Sequence, residues 1–515
     1  MRKFFWIMFL IPLLVSCSGK STQEKSPSAI TGTQQAPVTE DPEAPLTPET
    51  PEVPVTPEVP ATPEVPATPE VPETPAAPET PAEEPGPIVG LVSLVTPTPQ
   101  TEAKIQQDTE AGTAIINQKD QTAQPPIVKF VRNGYILEGE NWSLSGKMTA
   151  DISYSASSMV FRCGEDDKNF AEFIIRRQQS GTCDVVRNIT RDGTRLQTTT
   201  NELVLKSLQN SVSWTVDFHL LVCDGWLYFF LQEPGEDMIL ITSYAVDWTT
   251  SAPQLEVTKN TQVTFSDLSM SNDPAAVRAL YEKIGVNGEV KGSAKILFLG
   301  NSGIFYYDTP NTFSRLARQA GYLVEVNTIA RSSAYLHMFP SSSTDYLAML
   351  TQQELKKGYD RVYLQEATSC INSEGKANTT RLSVRSLDKL IREAGSKTVL
   401  YVRAPRNDYT DGRNPLIAGQ QYDELFTPLG QELNAEYCYV NRAFAMAYKE
   451  TKINLWHTDN AHQNEKGTYL AACVLFSSLF DTSCQVLGDD CLSAEEAQTL
   501  RNIADRVVLE GAIPW

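Results

Sequence analysis

Three side chains in this sequence have the types and spacing that acyl transfer requires. Ser302 stands in "FLGNSG", directly after the apolar run from Ile296 to Leu299. Asp459 and His462 stand far downstream in "LWHTDNAHQNEKG". A serine hydroxyl is a poor nucleophile until a neighbouring base takes its proton. An imidazole serves as that base when a carboxylate fixes its tautomer and orientation. Asp459 precedes His462 by three residues, which lets it accept the Nδ1 proton locally and leaves Nε2 free to face a serine. The chain has four histidines, and the others are His219, His337 and His457. His457 is the rival base, but it has no carboxylate at matching spacing. No paired-carboxylate glycosidase signature stands out.

These residues need a scaffold that brings them together. From residue 294 the chain alternates strands and helices: strand "KILFLG", helix "TPNTFSRLARQAG", strand "YLVEVNTIA", strand "DRVYLQE", helix "TTRLSVRSLDKLIREAG", strand "KTVLYVRA". Helical stretches near "TDYLAMLTQQELKKG" and "QQYDELFTPLGQELNAE", a strand "YCYVN" and a helix "EKGTYLAACVLFSSLF" complete the pattern. Such alternation predicts a parallel sheet with helices on both faces. Sites in such sheets lie at the carboxyl ends of the strands, where Ser302 falls. Gly300 and Gly303 are expected to let the backbone turn tightly there.

Residues 294 to about 482 resemble the SGNH (GDSL-like) hydrolases, and in particular their "GNS" branch. The matching pieces are "FLGNS", "YDRVYLQEAT" and Asp459-x-x-His462 followed by "NEKGTYLAACVLF". The resemblance implies an α/β three-layer domain over residues 294–515. It implies Ser302 as nucleophile, His462 as base and Asp459 as its orienter. It also implies an oxyanion hole made by the N–H of Ser302, the N–H near Ser332 and the Gln365 side-chain amide. Two departures accompany it. Ser332 or Ser333 in "IARSSAYL" stands where the family has a glycine, and Gln365 stands where the wider family has an asparagine. "GNSG" is also not the G-x-S-x-G elbow of α/β-hydrolases, because Gly303 follows the serine at once.

Residues 126–272 read as all-β. "MTADISYS", "MVFRC", "NFAEFIIRR", "TCDVVRNITRDG", "SVSWTVDFHLLV", "GWLYFFLQE" and "TQVTFSDLSM" are short β-rich runs divided by turn clusters such as Cys223-Asp224-Gly225. They predict a sandwich or jelly roll and resemble the concanavalin A-like and laminin-G-like sandwiches. Trp142, Trp214, Trp226 and Trp248 are candidates for stacking sugar rings, with core packing as the commoner role of a strand tryptophan. Residues 273–293 connect the two parts, with a helix expected from Pro274 to Ile284.

The N-terminus reads as an export signal. Arg2 and Lys3 precede an apolar run from Phe4 to Val15, too short to span a bilayer. Leu14-Val15-Ser16-Cys17 resembles a bacterial lipobox, which implies residues 1–17 as signal peptide, Cys17 as the lipidated residue and a lipid anchor; Ser18 in place of an aspartate after the cysteine points to the outer membrane. Residues 18–125 are read as a disordered tether, built around a Val-Pro-x-Thr-Pro-Glu repeat that favours extended polyproline chain.

Charge and cysteine usage narrow the partners. The net charge of −20 argues against nucleic acid, whose binding needs clustered Lys and Arg. Much of that charge lies in the tether, which has no basic residue between Lys25 and Lys104. No C-x-x-C occurs, so no thiolate zinc site is expected, and no organic cofactor is implied. Cys163 with Cys183, and Cys484 with Cys491, are the plausible disulfide pairs in an exported chain. The sequence therefore predicts a surface lipoprotein with serine esterase activity, deacylating carbohydrate esters. The alternative is a glycan- or host-binding surface protein on the same folds that has lost catalysis.

Overall fold

The computed structural model describes most of residues 92–515; residues 1–91 and short stretches, among them 96–103, 120–126, 178–182, 203–212, 247–249 and 341–345, lie outside the described residues. The signal peptide, Cys17, most of the tether and Trp248 therefore fall outside them. The rest divides into an antiparallel part and a parallel part that belong to one compact unit.

Among the described residues, the antiparallel part holds one sheet of eight strands and one of seven. It begins before the expected boundary at 126. Strand Val92–Val95 pairs with Ile127–Arg132, and Thr113–Gln118 pairs with Thr261–Ser271. The two sheets meet through aromatic side chains: Phe130 lies 5.5 Å from Phe265, Phe161 5.6 Å from Phe229, and Phe173 5.4 Å from Phe229. Offset and edge contacts of this kind add to the burial of apolar area. Alternation places Trp214, Val216, Phe218 and Leu220 in this core from strand Ser213–Cys223. The next strand, Trp226–Gln232, does not alternate, because both of its faces are covered. Phe229 enters the core, while Tyr228 stacks 4.7 Å from Tyr281 of the helix Pro274–Ile284.

Trp142, Trp214 and Trp226 are 0%, 3% and 5% exposed. These three tryptophans are core residues and offer no ring to a sugar. The expected disulfides do not form either: Cys163, Cys183, Cys484 and Cys491 all keep their thiols. Cys163 faces Ala171 and Cys183 faces Arg177, at opposite ends of the intervening strand Phe170–Arg177. That separation exceeds the reach of a disulfide. Cys484 turns inward and donates to the Arg501 carbonyl at 3.4 Å.

The parallel sheet contains β1 (Gly292–Gly300), β2 (Tyr322–Ala330), β3 (Arg361–Leu364), β4 (Lys397–Tyr401) and β5 (Glu436–Cys438), in the order β2-β1-β3-β4-β5. Successive residues of β1 feed opposite cores. Leu297 and Leu299 pack with Val384, Leu387 and Tyr422 from the helices Glu374–Glu393 and Pro415–Leu433. Ile296 and Phe298 pack with Phe313, Leu470 and Val474 from the helices Thr309–Gln319 and Glu465–Phe480. Two helices depart from the expected pattern. Val440–Glu450 follows β5 where the strand was expected to continue, and Ala494–Val508 closes the second core.

Buried ion pairs join the two parts. Arg191 reaches Glu354 at 2.9 Å and Arg187 reaches Asp308 at 3.6 Å, with all four side chains at most 7% exposed. Tyr228 donates to Glu325 Oε1 at 2.7 Å. A buried charge persists only when it is paired and hydrogen-bonded, so this interface is a fixed one.

Candidate active site

At the carboxyl end of β1 the chain passes through Gly300 and Asn301 into the helical turn Ser302–Phe305. Asn301 is fully committed there. Its Oδ1 accepts the Gly303 N–H at 3.0 Å, its Nδ2 donates to the Ala334 carbonyl at 2.9 Å, and its own N–H donates to Gln365 Oε1 at 3.0 Å. The asparagine beside the serine thus fixes both its own turn and the loop after β2. Gly300 and Gly303 are needed for space rather than for a left-handed turn. A Cβ on Gly300 would stand 2.6 Å from Gln365 Oε1, and one on Gly303 would stand 2.9 Å from the Arg403 guanidinium.

The partner loop is shaped just as locally. Trp456 bridges to Gln463, and the His457 N–H donates to the His462 carbonyl at 2.9 Å. This closed loop puts Asp459 and His462 on one side. Asp459 Oδ1 accepts the backbone N–H groups of Ala461 and His462 at 2.9 and 3.0 Å. Its Oδ2 lies 2.6 Å from His462 Nδ1, and His462 Nε2 lies 2.8 Å from Ser302 Oγ. Gln463 ties this loop to the serine turn, donating to the Gly303 carbonyl at 2.8 Å. Partial burial works against ionisation of Asp459, but the hydrogen bonds from the His462 ring and two backbone N–H groups outweigh it and hold the carboxyl well below its ordinary range.

Tyr306 stacks on His462 with ring centroids 4.3 Å apart and planes 17° apart. Burial, reinforced by the Asp459 charge, pushes the Tyr306 hydroxyl up, so it stays a neutral wall. His457 lies 3.7 Å from Asp459 Oδ1 and 3.4 Å from the Tyr306 hydroxyl. It does stand beside a carboxylate, contrary to the spacing argument, yet it is Nε2 of His462 that meets the serine.

On the other side of β1, Ser332 is exposed in a turn closed by the Ala334 N–H donating to the Arg331 carbonyl at 3.0 Å. Arg331 N–H in turn donates to the Gly300 carbonyl at 3.4 Å, which keeps this turn against the serine. Ser333 has a left-handed φ of 60°, a conformation that glycine adopts more readily.

Gln365 differs from its expected role. Its side chain is fully buried, its Oε1 accepts the Asn301 N–H, and its Nε2 donates to the Glu366 carbonyl. With no exposed surface and both ends of the amide engaged, Gln365 is not open to a substrate. It braces the serine turn instead. Glu366 braces the opposite turn: Oε1 accepts the N–H of Ala367 at 2.7 Å and of Leu336 at 3.2 Å, and Oε2 accepts from Thr380 at 3.1 Å. Sequence reasoning placed Ser302, Asp459 and His462 but missed Asn301, Tyr306 and Arg403. Asn301 was legible in "GNS"; Tyr306 and Arg403 carried no local signal.

The geometry suits proton transfer from a serine to an imidazole backed by a carboxylate. No protein-family model and no curated protein matches the chain. Among solved structures, it is similar over 36% of its length to 99% of a candidate SGNH hydrolase from Slackia heliotrinireducens, at 25% identity and a TM-score of 0.31. It is similar over 42% of its length to 96% of a DUF4886 family protein from Bacteroides uniformis, at 14% identity and a TM-score of 0.37. It is also similar over 37% of its length to 95% of Axe2, an acetylxylan esterase from Geobacillus stearothermophilus, at 14% identity and a TM-score of 0.30. At these scores the chemistry of this chain rests on its own residues.

Proposed function

We propose that the chain is a serine ester hydrolase of the SGNH type. The observation that carries this reading is the hydrogen-bonded series from Ser302 Oγ through His462 to Asp459, 2.8 and 2.6 Å long. His462 Nε2 takes the Oγ proton as Oγ bonds to the ester carbonyl carbon. The carbonyl electron pair moves onto oxygen, where the N–H groups of Ser302 and Ser332 receive it. Collapse expels the alcohol, which leaves with the proton from His462. Water then attacks the acyl-enzyme, losing its proton to His462, and collapse releases the acid as His462 returns that proton to Ser302 Oγ. Gln365 acts in this scheme by positioning Asn301.

The finer reading is an acylated carbohydrate as substrate. Tyr306 beside His462 and Tyr307 beside His457 are half-buried, with ring centroids 5.6 Å apart, and are suited to stacking on a sugar. The export signal and lipobox-like Cys17 support placement as an outer-membrane lipoprotein, exposed at the cell surface. Release of 4-nitrophenol from its acetyl ester tests the activity, with Ser302→Ala as the control. We expect turnover by the wild-type chain and a loss on the order of 10⁶-fold in the variant. Equal rates in the two proteins would remove the reading and leave the binding-protein alternative.

A further inference from the structure

Seven arginines are at most 9% exposed among the described residues, and six of them face a carboxylate. Arg187 pairs with Asp308, Arg191 with Glu354, Arg315 with Asp490, Arg318 with Glu325, Arg442 with Asp423 and Arg501 with Asp489. The seventh, Arg403, is 7% exposed and forms no ion pair among the described residues. A buried guanidinium without an anion is costly, because arginine keeps its charge and loses its hydration.

Arg403 also stands at the reactive end of the sheet. It follows β4, with Nε donating to the Ala404 carbonyl at 3.2 Å and Nη2 to the Ala461 carbonyl at 3.4 Å, next to His462. Its plane lies against Gly303, where a Cβ would stand 2.9 Å from Nη1. Nη1 donates to no protein group among the described residues. The carboxylates nearby are already engaged: Asp459 holds His462, Glu366 holds Leu336, Ala367 and Thr380, and Asp408 pairs with Arg406. The sheet order β2-β1-β3-β4 puts Arg403 on the opposite side of Ser302 from the Ser332 turn. Its free donor therefore meets a part of the substrate other than the carbonyl oxygen.

We propose that Arg403 is a carboxylate-binding subsite beside the nucleophile, and that the ester substrate is an acylated acidic sugar such as a uronic acid unit. This rests on the esterase reading above. A guanidinium donor directed at a carboxylate gives a charge-assisted bond roughly twice as strong as a neutral one.

The test compares acetate release from O-acetylated polygalacturonate and from O-acetylated glucomannan by the wild-type chain, Arg403→Gln and Arg403→Lys. We expect the wild-type kcat/KM to favour the acidic polymer. In Arg403→Gln that preference falls about tenfold or more, chiefly through KM, and Arg403→Lys keeps part of it. Raising the salt concentration lowers the wild-type preference as well, a readout that needs no variant to fold. A wild-type enzyme without preference for the acidic polymer overturns the proposal. So does an equal fall on both polymers through kcat, which would make Arg403 a support for the serine turn. If the wild-type chain hydrolyses neither polymer but still cleaves 4-nitrophenyl acetate, only the substrate proposal fails. If it cleaves no ester at all, the esterase reading fails with it.

Discussion

The sandwich core and the carboxyl edge of the parallel sheet treat residues of functional type in opposite ways. The sandwich takes tryptophans, which in principle could bind sugars, and buries Trp142, Trp214 and Trp226 almost completely. The sheet edge takes small polar residues and leaves the reacting ones accessible: the His462 and Asp459 side chains are 22% and 38% exposed. Around them Asn301, Gln365 and Glu366 are buried and use their hydrogen bonds on backbone groups and on one another. Residue type therefore says less about function than unspent hydrogen-bonding capacity at an open surface does.

The largest effects should fall on the accessible residues. His462→Ala removes the base and should lower kcat on the order of 10⁶-fold, about as far as Ser302→Ala, because the two act as a unit. Asp459→Asn should cost less than either, since it leaves the base in place and disturbs its tautomer. The pH dependence sharpens this point. The Asp459 carboxyl is held far below its ordinary range. Its stabilising contribution is present above the unfolded-state value near 4 and is lost only as pH falls through the lower folded-state value. Mild acidification should therefore leave Asp459 ionised and its contribution to stability in place. Thermal melts of the wild-type chain and Asp459→Asn whose difference stays constant as pH falls to about 4 support this assignment; a difference that shrinks well above that value contradicts it.

Intermediate effects should come from the buried braces. Gln365→Ala leaves the Asn301 N–H without its acceptor, and Glu366→Ala leaves those of Leu336 and Ala367. Each unsatisfied buried group costs about 1–3 kcal/mol, so both variants should melt earlier as well as react more slowly. A direct oxyanion donor would behave differently, with activity lost and stability kept. Burial is the main cause that raises the Glu366 pKa, against the hydrogen bonds it accepts. For an acid raised on folding, the stability contribution is present below the unfolded-state value near 4.3 and is lost as pH rises through the folded-state value. Glu366→Gln keeps an acceptor and never ionises. Its stability relative to wild type should improve as pH rises through that window, which paired thermal melts would read.

Much of this was legible in the sequence. Strand–helix alternation located the parallel sheet, and Asp-x-x-His located an imidazole with its carboxylate, because both are local patterns. What escaped was non-local or overlooked. The strands from Val92 to Gln118 are short, follow a proline-rich stretch and are defined by partners far downstream. Trp226–Gln232 reads as apolar throughout because the second part of the molecule covers its outer face. Helix Ala494–Val508 did carry a local signal: Ser493 accepts the Glu496 N–H at 3.3 Å in the Ser-x-x-Glu arrangement of a capping box. Arg403 could not be recognised, because its meaning lies in the partner it lacks and six other buried arginines have.

The smallest effect tests the sandwich side of the comparison. If its tryptophans are core residues, their substitution should change stability in proportion to what each one packs and bonds, and should leave hydrolysis untouched. Trp142 is fully buried, and Trp142→Phe removes packed area and leaves a void, at a cost of about 1–3 kcal/mol. Trp214 is nearly as buried, but its indole N–H has no hydrogen-bond partner among the described residues. Trp214→Phe loses area too, yet it also removes a buried donor whose desolvation goes uncompensated. The two terms oppose each other, so its net cost should lie within about 1 kcal/mol. Chemical denaturation of both variants would measure the difference, and retention on immobilised polysaccharide would measure binding. Trp214→Phe with near-native stability and unchanged retention fits a packing role. Lost retention with stability intact would make Trp214 a ligand contact and return the sandwich to the class of carbohydrate-binding modules.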